Sequence, residues 1–322
     1  MNSFNKKIII IWAFFLLMML VMSCSNVAKE NKKIVIADQF GLGYAPIQLM
    51  KAKGFLEENL PNYEIEWVKM GNASTIREAM ITGDLDVGFM GIPPFLIGVD
   101  HDTPWKIFTG LSEAPLGLVS KKGGIVTLKD IGKNDQIILP QPGSIQHILL
   151  QMAAKKELNN AKKFDEQLLT MNHGDGMNAL IADNELNLHF TSPPYLYKEL
   201  ELENTHLLLD AKKAFGGSFT FIVGVSQKEF YTDQEKYEGF MKALNKSIEF
   251  INNNKEATIN ELSNIYDYSK EDLNLYIYND DMKYLKTIIG IERFAKFMHE
   301  EKMIDQAFGS EELIWEEDET LD

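Results

Sequence analysis

The chain has 322 residues, 45% of them hydrophobic and 25% charged, the balance of a globular protein long enough for a large core or two lobes. Its formal net charge of -15 argues against nucleic acid as a partner, because phosphate binding needs basic patches. With a single cysteine no intrachain disulfide can form, so stability must come from packing.

At the start of the chain Lys6 and Lys7 precede an apolar run over residues 8–22, followed by Ser23 and Cys24. A basic head, a short apolar run and a small residue at a cut site form the pattern of a secretory signal. The run falls short of the roughly 20 residues that a spanning helix needs. Val21-Met22-Ser23-Cys24 resembles the bacterial lipobox, with Met22 where a small or β-branched residue is usual. The expectation is a signal peptide over 1–23 and a lipid-modified Cys24 as the first mature residue. That places the domain on the extracytoplasmic face of the cell membrane, lipid-anchored. An ordinary signal peptide with a chance cysteine, or an N-terminal anchor, is the competing reading. Residues 24–32 are polar and read as a linker.

Residues 33–37 are a β-branched run that reads as a buried strand, and 38–44 as a glycine-bearing loop. A helix follows over 46–53, with Pro46 in its first turn and Gly54 as its stop. Residues 63–68 alternate as a second strand. Asn72-Ala73-Ser74-Thr75 opens a helix through Ile81, with Thr75 and Glu78 at capping-box spacing. A third strand over 86–90 ends at Gly91 and Pro93-Pro94. The pattern then restarts: strand 136–139, a helix over 145–158 opened by Gly143-Ser144, strand 168–171, a helix over 177–182 opened by Gly174-Asp175-Gly176, and strand 188–190 before Pro193-Pro194. Alternating strands and helices predict an α/β fold with mainly parallel sheets, in two similar lobes. Residues 219–225 read as the crossing back to the first lobe. Helices are expected over 237–252, 257–262 and 284–300, and an acidic tail over 311–322.

Helix N-termini carry unpaired N–H groups and the positive end of the dipole, so they are ready anion sites. Asn72, Ala73 and Ser74 in one lobe, and Gly143 and Ser144 in the other, are the best candidates. Gly43 and Tyr44 follow the first strand at the carboxyl edge, where α/β folds bind ligands. Gly91 and Pro93 either end a strand or line the site; Ser144 is an N-cap, a ligand hydroxyl, or both. His147 lies on the first turn of its helix, either at the surface or facing the ligand. Asp175 either caps the helix at Met177 or, if it faces the site, repels an anion. Ser218 and Phe219 either line the site or pack a strand. The loop segments hold no lysine or arginine, which suits a small oxyanion or a polar heterocycle enclosed by Tyr44, Tyr195 and Phe219. The six histidines do not cluster at metal-ligand spacing, so no metal is expected. No P-loop, nucleophile elbow or dinucleotide fingerprint is present, so no cofactor is expected either.

Gly83-Asp84-Leu85-Asp86-Val87-Gly88-Phe89-Met90-Gly91-Ile92-Pro93-Pro94 resembles the G-x-[IL]-D-x-G-x-x-G-x-x-P block of the nitrate/sulfonate/taurine and thiamine-pyrimidine family of solute-binding proteins. Gly143-Ser144-Ile145-Gln146-His147 resembles that family's G-S-x-x-H segment, and Gly54-Phe55-Leu56-Glu57 its G-[FYL]-[FL]-[EK]. The resemblance runs over roughly residues 33 to 310. It implies a two-lobed type II periplasmic-binding-protein fold hinged by two crossover strands, near 116–120 and 221–226. The lobes would be 33–117 with 225–310, and 118–224. It implies a receptor, not an enzyme, that captures a small solute by closure and hands it to an ABC permease driven by a separate ATPase subunit. Where sulfonate-binding members carry a W-D-P-Y-like segment, only Pro194 and Tyr195 match, which speaks against an aliphatic sulfonate. An enzyme on the same fold, of the pyrimidine- or menaquinone-pathway kind, and a ligand sensor for a membrane receptor are the alternatives. The pyrimidine synthases use a cysteine-rich segment that this chain lacks.

Overall fold

The computed structural model describes residues 32–182 and 185–315. Cys24, the expected signal peptide and nearly all of the expected linker lie outside the described residues, as does 316–322 of the expected acidic tail.

Two sheets organise the described chain. The first contains β1 (Lys33–Asp38), β2 (Glu64–Lys69), β3 (Val87–Met90), β4 (Trp105–Glu113), β10 (Ile222–Gln227) and β11 (Lys283–Tyr284), in the order β11-β4-β10-β3-β1-β2. The second contains β5 (Gly117–Ser120), β6 (Ile137–Leu139), β7 (Leu168–Thr170), β8 (Leu188–Thr191) and β9 (His206–Asp210), in the order β7-β6-β8-β5-β9. In each sheet a parallel trio forms one half, β2-β1-β3 and β7-β6-β8, and antiparallel strands complete the other. Strands buried on both faces need unbroken apolar runs. Ile34 and Ile36 of β1 and all of β6 are fully buried.

Helices follow the parallel strands. In the first lobe these are α1 (Ala45–Lys53), α2 (Ala73–Thr82) and α3 (Ile92–Asp100). In the second they are α4 (Ile145–Leu158), α5 (His173–Ala182) and α6 (Tyr195–Leu200). Helix α3 is absent from the sequence expectation, which took Pro93-Pro94 for a turn. Both prolines sit in its first turn, where a missing N–H costs nothing. Asn72 rather than Thr75 caps α2, and its side chain accepts from Thr75 N–H at 3.0 Å. Helix α5 begins before Met177, so Asp175 lies within its first turn and Asn172 does the capping.

The expected hinge segments are sheet strands. β5 sits between β8 and β9, and β10 between β3 and β4. The chain passes between sheets at 114–116 and, returning, at 211–221. The expected helix over 284–300 is shorter. Tyr284 pairs with β4, and only α10 (Ile291–Glu300) is helical, after α7 (Gln234–Asn253), α8 (Lys255–Ile265) and α9 (Lys270–Ile277). The buried positions Ile291, Phe294, Ala295 and Met298 of α10 follow helical spacing. Residues 311–315, assigned to the acidic tail, dock on the first sheet. Trp315 N–H donates to Ile107 O at 2.9 Å, and its ring stacks on Tyr231 at 4.8 Å. Most buried apolar side chains of both lobes form one connected core, and Val119, Leu180 and Leu196 form a small separate cluster.

Candidate functional site

A cleft of about 620 Å³ lies between the lobes. It is built where six parallel strands end, three from each sheet, because loops there carry the free N–H groups of the following helices. From the first lobe come Asp38–Gly41, Gly43 and Tyr44 at the end of β1, Lys69–Ala73 at the end of β2, and Met90, Gly91 and Pro94 at the end of β3. The second lobe adds Pro140, Gln141 and Ser144–Gln146 after β6, Asn172–Gly174 after β7, and Ser192, Pro193 and Tyr195 after β8.

Hydrogen bonds fix these loops from behind. Gln39 Nε2 donates to Phe89 O at 2.7 Å, tying the β1 loop to β3. Gln48 donates to Gln39 O at 2.8 Å and to Asp38, which also accepts from Lys51. Tyr266 donates to Gly41 O at 3.0 Å, while Phe40 stands half-exposed at the mouth with its ring edge on Tyr266. In the second lobe Ser144 Oγ accepts from His147 N–H at 3.3 Å, which caps α4 and leaves the hydroxyl at the cleft. Across the gap Gln141 Nε2 donates to Ser74 Oγ at 3.4 Å, and Leu42 N–H to Pro193 O at 3.3 Å.

Of the residues nominated from sequence, Gly43, Tyr44, Asn72, Ala73, Gly91, Ser144 and Tyr195 are brought together on the cleft lining. Ser74 stands just behind it, bonded to Gln141. Pro93 and Pro194 turn away, and their neighbours Pro94 and Pro193 line the cleft instead. Gly143 and His147 form a support under the β6 loop. Gly143 N–H donates to His147 Nδ1 at 3.0 Å, and His147 Nε2 lies 3.2 Å from Asp165. Burial lowers the His147 pKa, against the opposing pull of Asp165. Ser218 is exposed on the returning crossover. Phe219 is buried against Phe215 and Phe294, at centroid distances of 5.0 and 5.8 Å, because the apolar face of α10 needs covering. Neither reaches the cleft.

Sequence reasoning missed most of the polar lining. Six carboxamides face the cleft: Gln39, Gln48, Asn72, Gln141, Gln146 and Asn172. It also missed a cation. Lys69, the last residue of β2, lines the cleft and is exposed, and its side chain has no ion pair or hydrogen bond among the described residues. The signal was available in position: Lys69 ends β2, and Asn172 lies two residues beyond β7. His173 also lines the cleft, with the Tyr195 ring 5.8 Å away. Burial, and secondarily the neighbouring His189, push the His173 pKa down to about 3. Burial and the nearby Asp175 raise the Tyr195 hydroxyl, and burial raises that of Tyr44.

A cleft lined from two lobes by neutral donors, carboxamides and aromatic rings can hold and orient a small polar solute. Among the described residues no cluster of metal-ligating side chains occurs, and no helix is long and apolar enough to cross a membrane. No family model matches the sequence, and no curated protein matches it. Solved structures do. The alkanesulfonate-binding protein SsuA from Xanthomonas axonopodis pv. citri, bound to MOPS, superposes with a TM-score of 0.73 at 17% identity, over 88% of this chain and 98% of that one. The periplasmic aliphatic sulphonate binding protein SsuA from Escherichia coli gives 0.69 at 18%, over 88% and 92%. The periplasmic nitrate-binding protein NrtA from Synechocystis PCC 6803 gives 0.66 at 14%, over 85% and 81%. The chain has the two-lobed periplasmic-binding-protein fold that such proteins share.

Proposed function

We propose that this chain is the extracytoplasmic solute-binding lipoprotein of an ABC importer, capturing a small polar or anionic solute by closure of its two lobes. The observation that carries the reading is the cleft itself, whose polar lining comes from equivalent strand ends of both lobes. A solute held there gains contacts from both sides only when the lobes approach. Structures of the same fold that bind sulfonates and nitrate support it. Lys69 and the helix N-termini suit an oxyanion, while the carboxamides and the rings of Phe40, Tyr44 and Tyr195 suit a polar heterocycle. The lipid anchor would be Cys24, and the partners a membrane permease and a separate ATPase subunit.

Thermal unfolding of the chain with a panel of nitrate, sulfonates, taurine and pyrimidine precursors tests the reading, because a ligand that binds only the folded state raises the melting temperature by mass action. One class of solute is expected to raise it in a saturable way. A panel with no effect removes the receptor reading for these solutes. Cys24→Ala is expected to release the protein or leave it unprocessed; unchanged processing and membrane recovery would sink the lipoprotein assignment.

A further inference from the structure

Behind the cleft wall a file of polar side chains runs from the solute space to a buried acid. Gln146 on α4 lines the cleft, and its amide nitrogen lies 3.2 Å from His173 Nε2. His173 Nδ1 lies 3.3 Å from His189 Nε2, with Thr191 Oγ1 at 3.2 Å. His189 Nδ1 lies 2.6 Å from Glu199 Oε1. His189 and Glu199 are both fully buried, and Glu199 Oε2 has no hydrogen-bond partner among the described residues. Space for the file depends on Gly176, whose backbone His189 approaches so closely that a Cβ would come within 2.8 Å of its ring. The file belongs to none of the supports described above.

We propose that Glu199, acting through His189 and His173, sets the hydrogen-bond polarity that Gln146 presents to the solute, and so selects a ligand with an acceptor atom at that point. Two arrangements satisfy the file with both rings neutral. When Glu199 is a carboxylic acid, its O–H donates to His189 Nδ1, His189 Nε2–H donates to His173 Nδ1, and His173 Nε2–H points at Gln146. The amide must then turn over from the orientation seen here, in which its nitrogen faces the ring, so that it offers its oxygen to the ring and its NH₂ to the cleft. When Glu199 is ionised, it accepts from His189 Nδ1–H, His189 Nε2 accepts from His173 Nδ1–H, and His173 Nε2 accepts from the amide, whose oxygen then faces the cleft. Passing from the first to the second shifts the carboxyl proton to His189 Nδ1, that ring's Nε2 proton to His173 Nδ1, and His173's Nε2 proton into the cleft. One proton leaves and no ring becomes cationic. The Thr191 hydroxyl serves either arrangement by turning.

The surroundings favour the first arrangement at neutral pH. Burial raises the Glu199 carboxyl to about 9 and lowers both imidazoles to about 3. No lysine or arginine bonds to either histidine or to Glu199 among the described residues. On α6, Lys198 turns to Asp272 at 3.0 Å, and Tyr195 stands beside His173. On α5, Asp175 is held by Asn172, and Lys121 of the β5 end reaches only the carbonyls of Leu180 and Ile181. On α4, His147 faces Asp165 instead. A neutral file that presents an NH₂ favours a carboxylate, sulfonate or nitrate oxygen, or a ring nitrogen, at Gln146 and disfavours a donor there. This selection rests on the receptor reading; the proton file does not.

Nitrogen NMR of the full chain, with ¹⁵N-labelled histidine, tests the file without any ligand. At about pH 7 both rings are expected as the Nε2–H tautomer. Both should pass to Nδ1–H in one step with a midpoint near that of the Glu199 carboxyl, about 9. Glu199→Gln is expected to hold both rings as Nε2–H throughout, since its NH₂ still donates to His189. Either ring seen as an imidazolium at neutral pH, tautomers that do not move, or an unaltered switch in E199Q overturns the proposal. The wild-type titration decides alone if the variant does not fold. Its failure leaves the receptor reading standing, and a chain that binds no solute leaves the tautomer result standing.

Discussion

Replacing Glu199 by glutamine should change the shape of the pH–stability profile. Stability rises with pH wherever the unfolded chain holds more protons than the folded one, by about 1.4 kcal/mol per proton and pH unit. Burial holds Glu199 protonated up to about 9, against an ordinary 4.5, so between those values the folded chain carries a proton that the unfolded chain has lost. His173 and His189 stay neutral down to about 3, against an ordinary 6.5, so between those values the unfolded chain carries two protons that the folded chain lacks. From pH 4.5 to 6.5 the difference is one proton in favour of the unfolded chain, and these three groups raise stability by about 1.4 kcal/mol per unit. From 6.5 to 9 only Glu199 differs and stability falls by the same slope, about 3 kcal/mol in all. In E199Q the acid-side slope should double to about 2.7 kcal/mol per unit and the alkaline decline should vanish. Urea unfolding of both proteins at a series of pH values, followed by tryptophan fluorescence, measures this, and subtracting the profiles cancels every other titrating group. Parallel profiles above about pH 6.5 would show that Glu199 is ionised in the fold and refute the reasoning.

Three further outcomes follow from the cleft and its supports. Ser144→Ala and Asn72→Ala should each weaken binding of whichever solute raises the melting temperature by about tenfold, the loss expected for one hydrogen bond to a charged or strongly polar group; calorimetry showing full affinity in both would mean the solute sits elsewhere. Gly91→Val inserts a branched side chain where a Cβ already comes within 3.2 Å of Ile145 in the other lobe. Overpacking of about 1–3 kcal/mol against the closed form should enlarge the radius of gyration in scattering and weaken binding, and an unchanged radius and affinity would deny a closing seam there. Phe219→Ala should cost about 3–5 kcal/mol in unfolding while leaving affinity unaltered, because the ring packs against Phe215 and Phe294; lost affinity at unchanged stability would return Phe219 to the cleft.

Where period and punctuation agree, the fold was legible. The β-branched run of β1, the glycine after α1 and the serine before α4 each act locally, and the observed elements fall where those signals lie. Helix α3 was hidden because two prolines normally break structure, although in a first turn they do not. β4 was obscured, and the place of the expected strand near 221–226 between β3 and β4 was not foreseen, because that pairing is a long-range fact with no local signature. The site was legible as loops, not as side chains. The strand-end rule leads to Tyr44, Asn72, Ser144 and Tyr195 and extends to Gln141 and His173, two and three residues beyond β6 and β7, whereas Gln146, inside α4, reaches the cleft through tertiary placement. Phe219 shows the converse, since its sequence neighbourhood suits a cleft and the apolar face of a distant helix claims it.

The strand order has a consequence for the moment of synthesis. β3 and β4 are consecutive in the chain but never pair with each other; β10, which comes after the whole second sheet, fills the gap between them. The second sheet is contiguous, from β5 to β9, and can assemble as soon as it is made. The first must wait with its middle open until β10 arrives, and such non-local closure is slow. A nascent chain of this design therefore carries an unfinished first sheet until late in its synthesis.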